Sequence, residues 1–348
     1  MTEEHSVAKQ VHDARPKLGP NDATIDRDLA ARLLPRRSFG AHKWGVGGLV
    51  IVAGAPGYAG AAMLSALAAG RAGAGIVNVA TSRGVAGLVV GAAPETAAIP
   101  LPDPEGPMGK KAVEEFEKKL EKSAALLVGP GLGEEEDADA VMTSLFARDA
   151  RKAAIGFGFG VPAARASEPA PEGDSLAARS GKPIAIDADG LNWLARQDNW
   201  PDLLPKGRCV LTPHVGEMAR LLGKDSDEIV ADPLKTVREA AKAWGQTVVF
   251  KYGYTAVSDG ERTLVADDAP MSLATAGAGD VLAGSIGALL AQGLAPMDAA
   301  ALAVWSGIVA ARRLEERFGT LGVIAGDLPA AIAEVMAGLE REGGEGRD

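Results

Sequence analysis

The sequence predicts an α/β protein built on one mostly parallel sheet with helices on its faces. Three observations carry this expectation. Apolar runs such as Leu49-Val50-Ile51-Val52-Ala53 are short, β-branched and continuous rather than alternating, the pattern of strands covered on both sides. Glycine-rich loops follow such runs at 54–60 and 129–133, each ahead of a helical pattern. No linker or shift of composition divides the 348 residues, and no internal repeat is present, so one domain is the economical count. Its expected limits are 28–341, after a flexible arm at 1–27 and before a frayed tail at 342–348.

Composition narrows the function classes. Hydrophobic residues make up 47% and charged residues 24%, as in ordinary globular proteins. A net charge of −10 argues against a broad nucleic-acid surface but leaves room for small anions held by local amides. Cys209 is the only cysteine, which excludes a disulfide framework and argues against a cysteine zinc site. The N-terminus lacks the basic and apolar blocks of a signal peptide. The charge-free stretch 44–70 is Gly- and Ala-rich and broken by Pro56, so it does not read as a membrane span. A soluble, cytoplasmic protein is expected.

Taken in order, residues 28–34 read as a short helix ended by Pro35. His42 and Lys43 precede the first strand, 49–53, and either reach its loop or stay solvated. The loop 54–60, a helix at 61–71 and a strand at 75–80 complete a βαβ unit, with the loop where open α/β sheets bind ligands. The alternating charges of 108–122 mark a solvated helix. A buried strand at 124–128 runs into Gly129-Pro130-Gly131-Leu132-Gly133, and the acidic run 134–137 opens another helix. The segment 156–181 reads as a loop insertion, either a lid or a spacer.

The second half carries the charged candidates. A strand from Pro183 delivers Asp187 and Asp189, which fall on one side of an extended chain. They either hold Mg²⁺ through water or cap the next helix. The strand 208–211 ends in Thr212-Pro213-His214-Val215-Gly216-Glu217, where His214 and Glu217 are structural or ligand-binding. Residues 225–244 are largely helical. The strand 247–250 delivers Lys251, and 256–258 with 263–265 form a hairpin around Asp259-Gly260. Ala-rich helices at 296–318 and 329–341 close the chain.

Between them, 272–292 begins as a small-residue loop and continues as an apolar helix. Gly277, Ala278 and Gly279 are expected to offer bare N–H groups to a phosphate at the helix start. Asp280, at the positive end of the helix, is expected to stay ionised and to accept a proton from an attacking hydroxyl. An N-capped, tightly packed helix without a ligand is the competing account.

The ordered set is His42-Lys43, Gly-Tyr-Ala-Gly-Ala at 57–61, Arg-Ala-Gly-Ala-Gly at 71–75, Gly-Pro-Gly-Leu-Gly at 129–133, Asp-Ala-Asp-Gly-Leu-Asn at 187–192, Thr-Pro-His-Val-Gly-Glu at 212–217, Lys251 to Thr255, and Thr-Ala-Gly-Ala-Gly-Asp at 275–280. Over about residues 28–338 it resembles the ADP/ATP-dependent NAD(P)H-hydrate dehydratase family of the ribokinase-like superfamily. Many relatives carry a fused epimerase domain; the resemblance here is to the dehydratase half. It implies a ribokinase-like three-layer fold, a central mostly parallel sheet flanked by helices. It implies a nucleotide, ADP or ATP, at Lys251, Tyr252, Gly253, Tyr254, Thr255 and Gly279. It puts the hydrated cofactor, NAD(P)HX, at Ala61, Gly131, His214 and Asp280. It implies Mg²⁺, with Glu217 as an outer-shell partner.

The implied reaction phosphorylates the substrate hydroxyl with Asp280 as base and then eliminates phosphate. A homo-oligomer without nucleic-acid or membrane partners is expected. The alternatives are a small-alcohol kinase on the same fold and a non-catalytic nucleotide binder. The chain departs from the family pattern at Val215, Tyr252, 269–272, Ala278 and the extra segment 156–181, changes that bear on affinity and donor choice more than on fold.

Overall fold

The computed structural model describes residues 18–101, 110–133, 136–146, 175–266 and 268–344. The elements follow in chain order: β1 Asp22–Thr24, α1 Arg27–Leu33, α2 Lys43–Val46, β2 Gly48–Val52, α3 Ala59–Arg71, β3 Ile76–Ser82, α4 Arg83–Ala92 and β4 Ala97–Leu101. Next come α5 Lys110–Lys122, β5 Ala125–Val128, α6 Glu136–Phe146, α7 Leu176–Ser180, β6 Ile184–Ile186, α8 Asp189–Ala195, β7 Cys209–Leu211 and α9 Val215–Leu222. The remainder is α10 Ser226–Ala231, α11 Pro233–Trp244, β8 Thr247–Lys251, β9 Thr255–Ser258, β10 Thr263–Ala266, α12 Ala278–Ala291, α13 Pro296–Gly322 and α14 Leu328–Gly344.

The strands form one sheet in the order β1-β10-β9-β8-β7-β6-β5-β2-β3-β4. Every neighbouring pair from β4 to β8 is parallel, while β8, β9 and β10 pair antiparallel. Alternate strand residues feed two cores. Leu49 and Ile51 pack with α3, α12, α13 and α14 on one face, whereas Val50 and Val52 pack with residues of α5, α6, α8, α9 and α11 on the other. This is the expected three-layer α/β architecture, and it explains why β2 is apolar throughout.

The order reverses between β5 and β2, and the loops after these two strands meet there. The Gly54 N–H donates to the Pro130 carbonyl at 2.9 Å. A reversal of this kind opens a crevice at the strand C-termini. Among the described residues, no helix is long and apolar enough to cross a membrane.

Local differences from expectation have physical causes. Asp22–Thr24, assigned from sequence to a flexible arm, pairs in parallel with β10, and Arg238 bonds to Asp22 at 2.7 Å. So short a strand, with no apolar run, leaves no sequence signal. The rest of the arm before residue 18 lies outside the described residues, as does most of the 156–181 insertion, whose end forms α7. The 225–244 helix is two helices, broken where Asp232 caps α11 ahead of Pro233.

Candidate active site

The first turn of α12 lies where α3, β6 and β8 converge. Gly277 is its N-cap at φ 92, and a Cβ there would stand 2.5 Å from Leu64. A Cβ on Gly284 would stand 2.3 Å from the Ser65 carbonyl oxygen, so α3 and α12 touch backbone to backbone. Ser65 Oγ also donates to the Asp280 carbonyl at 3.1 Å. These contacts hold the starts of the two helices side by side. Ala61 on α3 in turn abuts Gly131, which adopts φ +58 and has no room for a side chain against Ala61 and Tyr58.

Helix geometry leaves the first N–H groups without intrahelical partners. The Ala278 N–H turns back to the Thr275 carbonyl at 3.3 Å. Among the described residues, the N–H groups of Gly277, Gly279 and Asp280 have no protein acceptor. The unpartnered N–H groups expected at this helix start are therefore found at Gly277 and Gly279, whereas that of Ala278 is paired.

Beneath this turn lies a charge cluster. Asp187, 2% exposed, accepts on Oδ1 from Thr212 Oγ1 at 2.6 Å and from Lys251 Nζ at 3.2 Å. A Cβ placed on Gly279 would be 3.6 Å from Lys251 Nζ and 3.7 Å from Asp187 Oδ2, so the cluster lies directly against the helix start. Burial opposes the charge on Lys251, but Asp187 and Glu217 outweigh it and hold the ammonium charged. Asp280 departs from expectation. Burial, reinforced by the charge of Asp187 and opposed by Lys251, raises it to about 7. The helix N-terminus alone does not keep it strongly acidic, because a dipole worth roughly 0.3–1 kcal/mol does not offset lost hydration beside a second carboxylate.

The two acids of 187–189 do not share a side. Ala188 adopts φ 49 and ψ −118, which turns Asp189 away to accept from the Gly133 N–H at 2.8 Å. Neither acid is the N-cap of α8, which is Ala188.

His214 and Glu217 form a reciprocal cap at the start of α9. His214 Nδ1 accepts from the Gly216 N–H at 2.9 Å, and Glu217 Oε2 accepts from the His214 N–H at 2.8 Å. With Nδ1 accepting, the half-exposed ring is neutral. Desolvation and the charges of Lys251 and Arg220 lower its pKa to about 4. Burial raises Glu217. His42 likewise caps α2, accepting from the Gly45 N–H at 3.0 Å.

From Lys251 and Gly279 a cleft of about 340 Å³ runs outward between α12, α13 and α14. Gly253, Tyr254, Thr255 and Ala278 line its inner end, and Leu282, Ile308 and Ile332 form apolar walls. Tyr252 is different. Its ring stacks 5.1 Å from Phe250 and belongs to the core on the opposite face of the sheet, so only its backbone is near the cleft. Gly277 contributes a turn packed on Leu64 rather than a cleft wall.

A metal was also expected. Among the described residues, no group of three or more His, Cys, Asp and Glu side chains could hold one. Asp187, Asp189 and Glu217 already have partners, as above, so a preformed protein cage does not fit. Mg²⁺ that keeps its waters and arrives on phosphates does fit. Burial is the main reason that Asp280 and Glu217 are raised, with the charge of Asp187 adding to it and Lys251 opposing it.

Sequence reasoning missed the Asp187–Lys251–Thr212 linkage and a second ionic group, Asp268, Arg312 and Glu315, at the outer end of the cleft. No local signal announces partners 44 or 64 residues apart.

A family model described as NAD(P)H-hydrate dehydratase matches residues 49–334. A bifunctional NAD(P)H-hydrate repair enzyme of Salinibacter ruber is 35% identical over 317 residues, covering 90% of this chain and 52% of that protein. The chain thus spans about half the length of such curated relatives. An ADP-dependent (S)-NAD(P)H-hydrate dehydratase of Streptococcus thermophilus is 30% identical, covering 77% of this chain and 82% of that one. Among solved structures, a ribokinase-like superfamily protein of Enterococcus faecalis superposes with a TM-score of 0.73 at 18% identity, over 94% of this chain and 99% of that one. An ADP/ATP-dependent NAD(P)H-hydrate dehydratase of Bacillus subtilis, co-crystallized with ATP/Mg²⁺, gives 0.69 at 22% identity, over 92% and 100%. These two likenesses show the fold, which is ribokinase-like.

Proposed function

The chain belongs to the NAD(P)H-hydrate dehydratase family, and from that premise we propose that it returns hydrated NADH or NADPH to the reduced cofactor at the expense of ADP or ATP. The observation that carries the reading is Asp280 at the start of α12, with a pKa near neutrality, beside the unpaired Gly279 N–H and above the Lys251 ammonium. The helix start offers a proton acceptor and oxyanion donors, and the end of β8 beneath it offers a fixed positive charge.

In this reading Asp280 takes the proton from the ring hydroxyl as its oxygen bonds to the terminal phosphorus. A pKa near 7 suits a base that must be both ionised and basic at neutral pH. The N–H groups of Gly277 and Gly279 and the Lys251 ammonium meet the charge that develops on the phosphoryl oxygens. The ring nitrogen's lone pair then expels phosphate, and loss of the neighbouring carbon-bound proton restores the dihydronicotinamide. Gly253, Tyr254 and Thr255 hold the nucleotide, while Ala61, Gly131 and His214 border the substrate side. Glu217 would hold Mg²⁺ through water, and the ion would supply further neutralisation of phosphate charge. The names of the Streptococcus and Bacillus relatives support this choice of donor and ion. The reaction is assigned to the cytoplasm, and exposed Leu321 and Ile324 support a homo-oligomer.

The test is to incubate the protein with hydrated NADH, Mg²⁺ and ADP or ATP, following both reduced-cofactor absorbance and free phosphate. Equal appearance of both is expected. Phosphate retained on an organic product would instead indicate a small-alcohol kinase.

A further inference from the structure

The outer wall of the cleft is a segment with little structure of its own. Residues 268–274 leave β10, make one short 3₁₀ turn at Met271–Leu273 and enter the loop before α12. Ala269, Pro270, Met271 and Leu273 line the cleft, as do Leu282 and Ile332. Met271 is 69% exposed at the rim. A large apolar side chain in that position is suited to cover a flat aromatic face, since the thioether makes favourable contacts with rings.

This wall is fastened to α13 from outside. Arg312 bonds to both carboxylate oxygens of Asp268, with Nε at 2.7 Å from Oδ2. Arg312 Nη1 also meets Glu315 Oε2 at 2.7 Å, and Glu315 Oε1 accepts from the Ser272 N–H at 3.0 Å. Two residues one helical turn apart on α13 therefore hold the segment at its start, Asp268, and in the middle of its turn, Ser272. Neither Arg312 nor Glu315 lines the cleft. The geometry is that of a fork–fork arginine–carboxylate pair, which fixes orientation as well as distance.

We infer that Arg312 and Glu315 are positioning residues for nucleotide binding, holding 268–274 as the wall of the base subsite. The inference rests on the nucleotide reading given above and adds which residues set affinity for the base. The cleft divides accordingly. Its inner end, at Lys251 and Gly279, serves phosphate; its apolar outer end serves the base. Freeing the wall leaves the phosphate end intact and costs binding only to ligands that carry a base, because ordering a loose segment is then charged to the binding step.

The experiment is calorimetric titration of the full chain, with Mg²⁺ present, against ADP and separately against pyrophosphate. It compares wild type with Arg312→Ala, Arg312→Lys and Glu315→Gln. Arg312 is half-exposed, so its variants are expected to fold, and circular dichroism verifies this. ADP affinity should fall about tenfold in Arg312→Ala and less in Arg312→Lys and Glu315→Gln, the size expected for a lost charge-assisted contact. Pyrophosphate affinity should stay within about twofold of wild type, because that ligand does not reach the wall. Unchanged ADP affinity in Arg312→Ala, or equal weakening of both ligands, overturns the inference while leaving the nucleotide site standing. Wild type that binds no ADP removes the nucleotide reading itself, and this inference with it.

Discussion

The Lys251 ammonium donates to the Asp187 carboxylate at 3.2 Å, tying the end of β8 to the end of β6 under the first turn of α12. The same oxygen accepts from Thr212 on the strand end between them. Lys251→Met leaves Asp187 buried without its counter-charge. The expected loss is about 2–3 kcal/mol, somewhat below the cost for a fully buried pair because the lysine head is part exposed. Urea denaturation measures it. The double variant Lys251→Met with Asp187→Asn should recover part of the loss, since it removes the orphan charge. No recovery would mean that the pair is not the source of the effect.

Asp280 predicts a pH dependence of known sign. Its folded-state pKa is raised, from 3.8 to about 7. The group therefore adds stability below its unfolded pKa, and that contribution is lost as pH rises through about 7. Asp280→Asn does not titrate, so its melting temperature relative to wild type should climb between about pH 4 and pH 7 and level off above. Turnover runs the other way: kcat/KM should rise with pH and level off above neutrality, as the base form accumulates. A flat difference in melting temperature would contradict the raised pKa.

Two glycines of α12 separate function from packing. A Cβ at Gly279 finds ordinary contact distances of 3.6 and 3.7 Å to Lys251 and Asp187, but it enters the place proposed for phosphate. Gly279→Ala should fold like wild type and lose nucleotide affinity by at least about tenfold. At Gly284 the added carbon would meet the Ser65 carbonyl at 2.3 Å. Gly284→Ala should lower stability by about 2–3 kcal/mol by forcing α3 and α12 apart. Thermal melting with ADP titration reads both effects, and the reverse assignment would sink this account of the helix start.

Ala188 holds a left-handed backbone angle, φ 49, between the two acids. With ψ −118 it lies outside the left-handed helical region, and such a conformation costs an ordinary residue roughly 1–3 kcal/mol. Ala188→Gly should therefore be neutral or slightly stabilising, in contrast to the usual entropic cost of glycine, which a chemical denaturation midpoint will show.

Much of the fold was legible because its signals are local. The run 49–53, the loop 129–133 and the apolar stripe after Asp280 each carry pattern and punctuation within a dozen residues, and β2, its neighbour β5 and α12 appear where those signals lie. The chemistry of the site was less legible because it is assembled from distant parts. Asp187 and Asp189 look alike in an extended chain, and only the Ala188 turn sends them to different partners. The protonation of Asp280 depends on Asp187, 93 positions away, and on burial that the helix-end argument leaves out. Tyr252 follows the lysine in sequence, yet the pleat of the strand directs its ring into the opposite layer.

The most direct measurement is the rate of reduced-cofactor recovery from hydrated NADH with Mg²⁺ and ADP or ATP, wild type against Asp280→Asn, each first shown to be folded. The account predicts recovery by wild type, coupled to phosphate release, and a loss of at least about 10²-fold in the variant. Equal rates for the two proteins, or no recovery by wild type with either nucleotide, would contradict it.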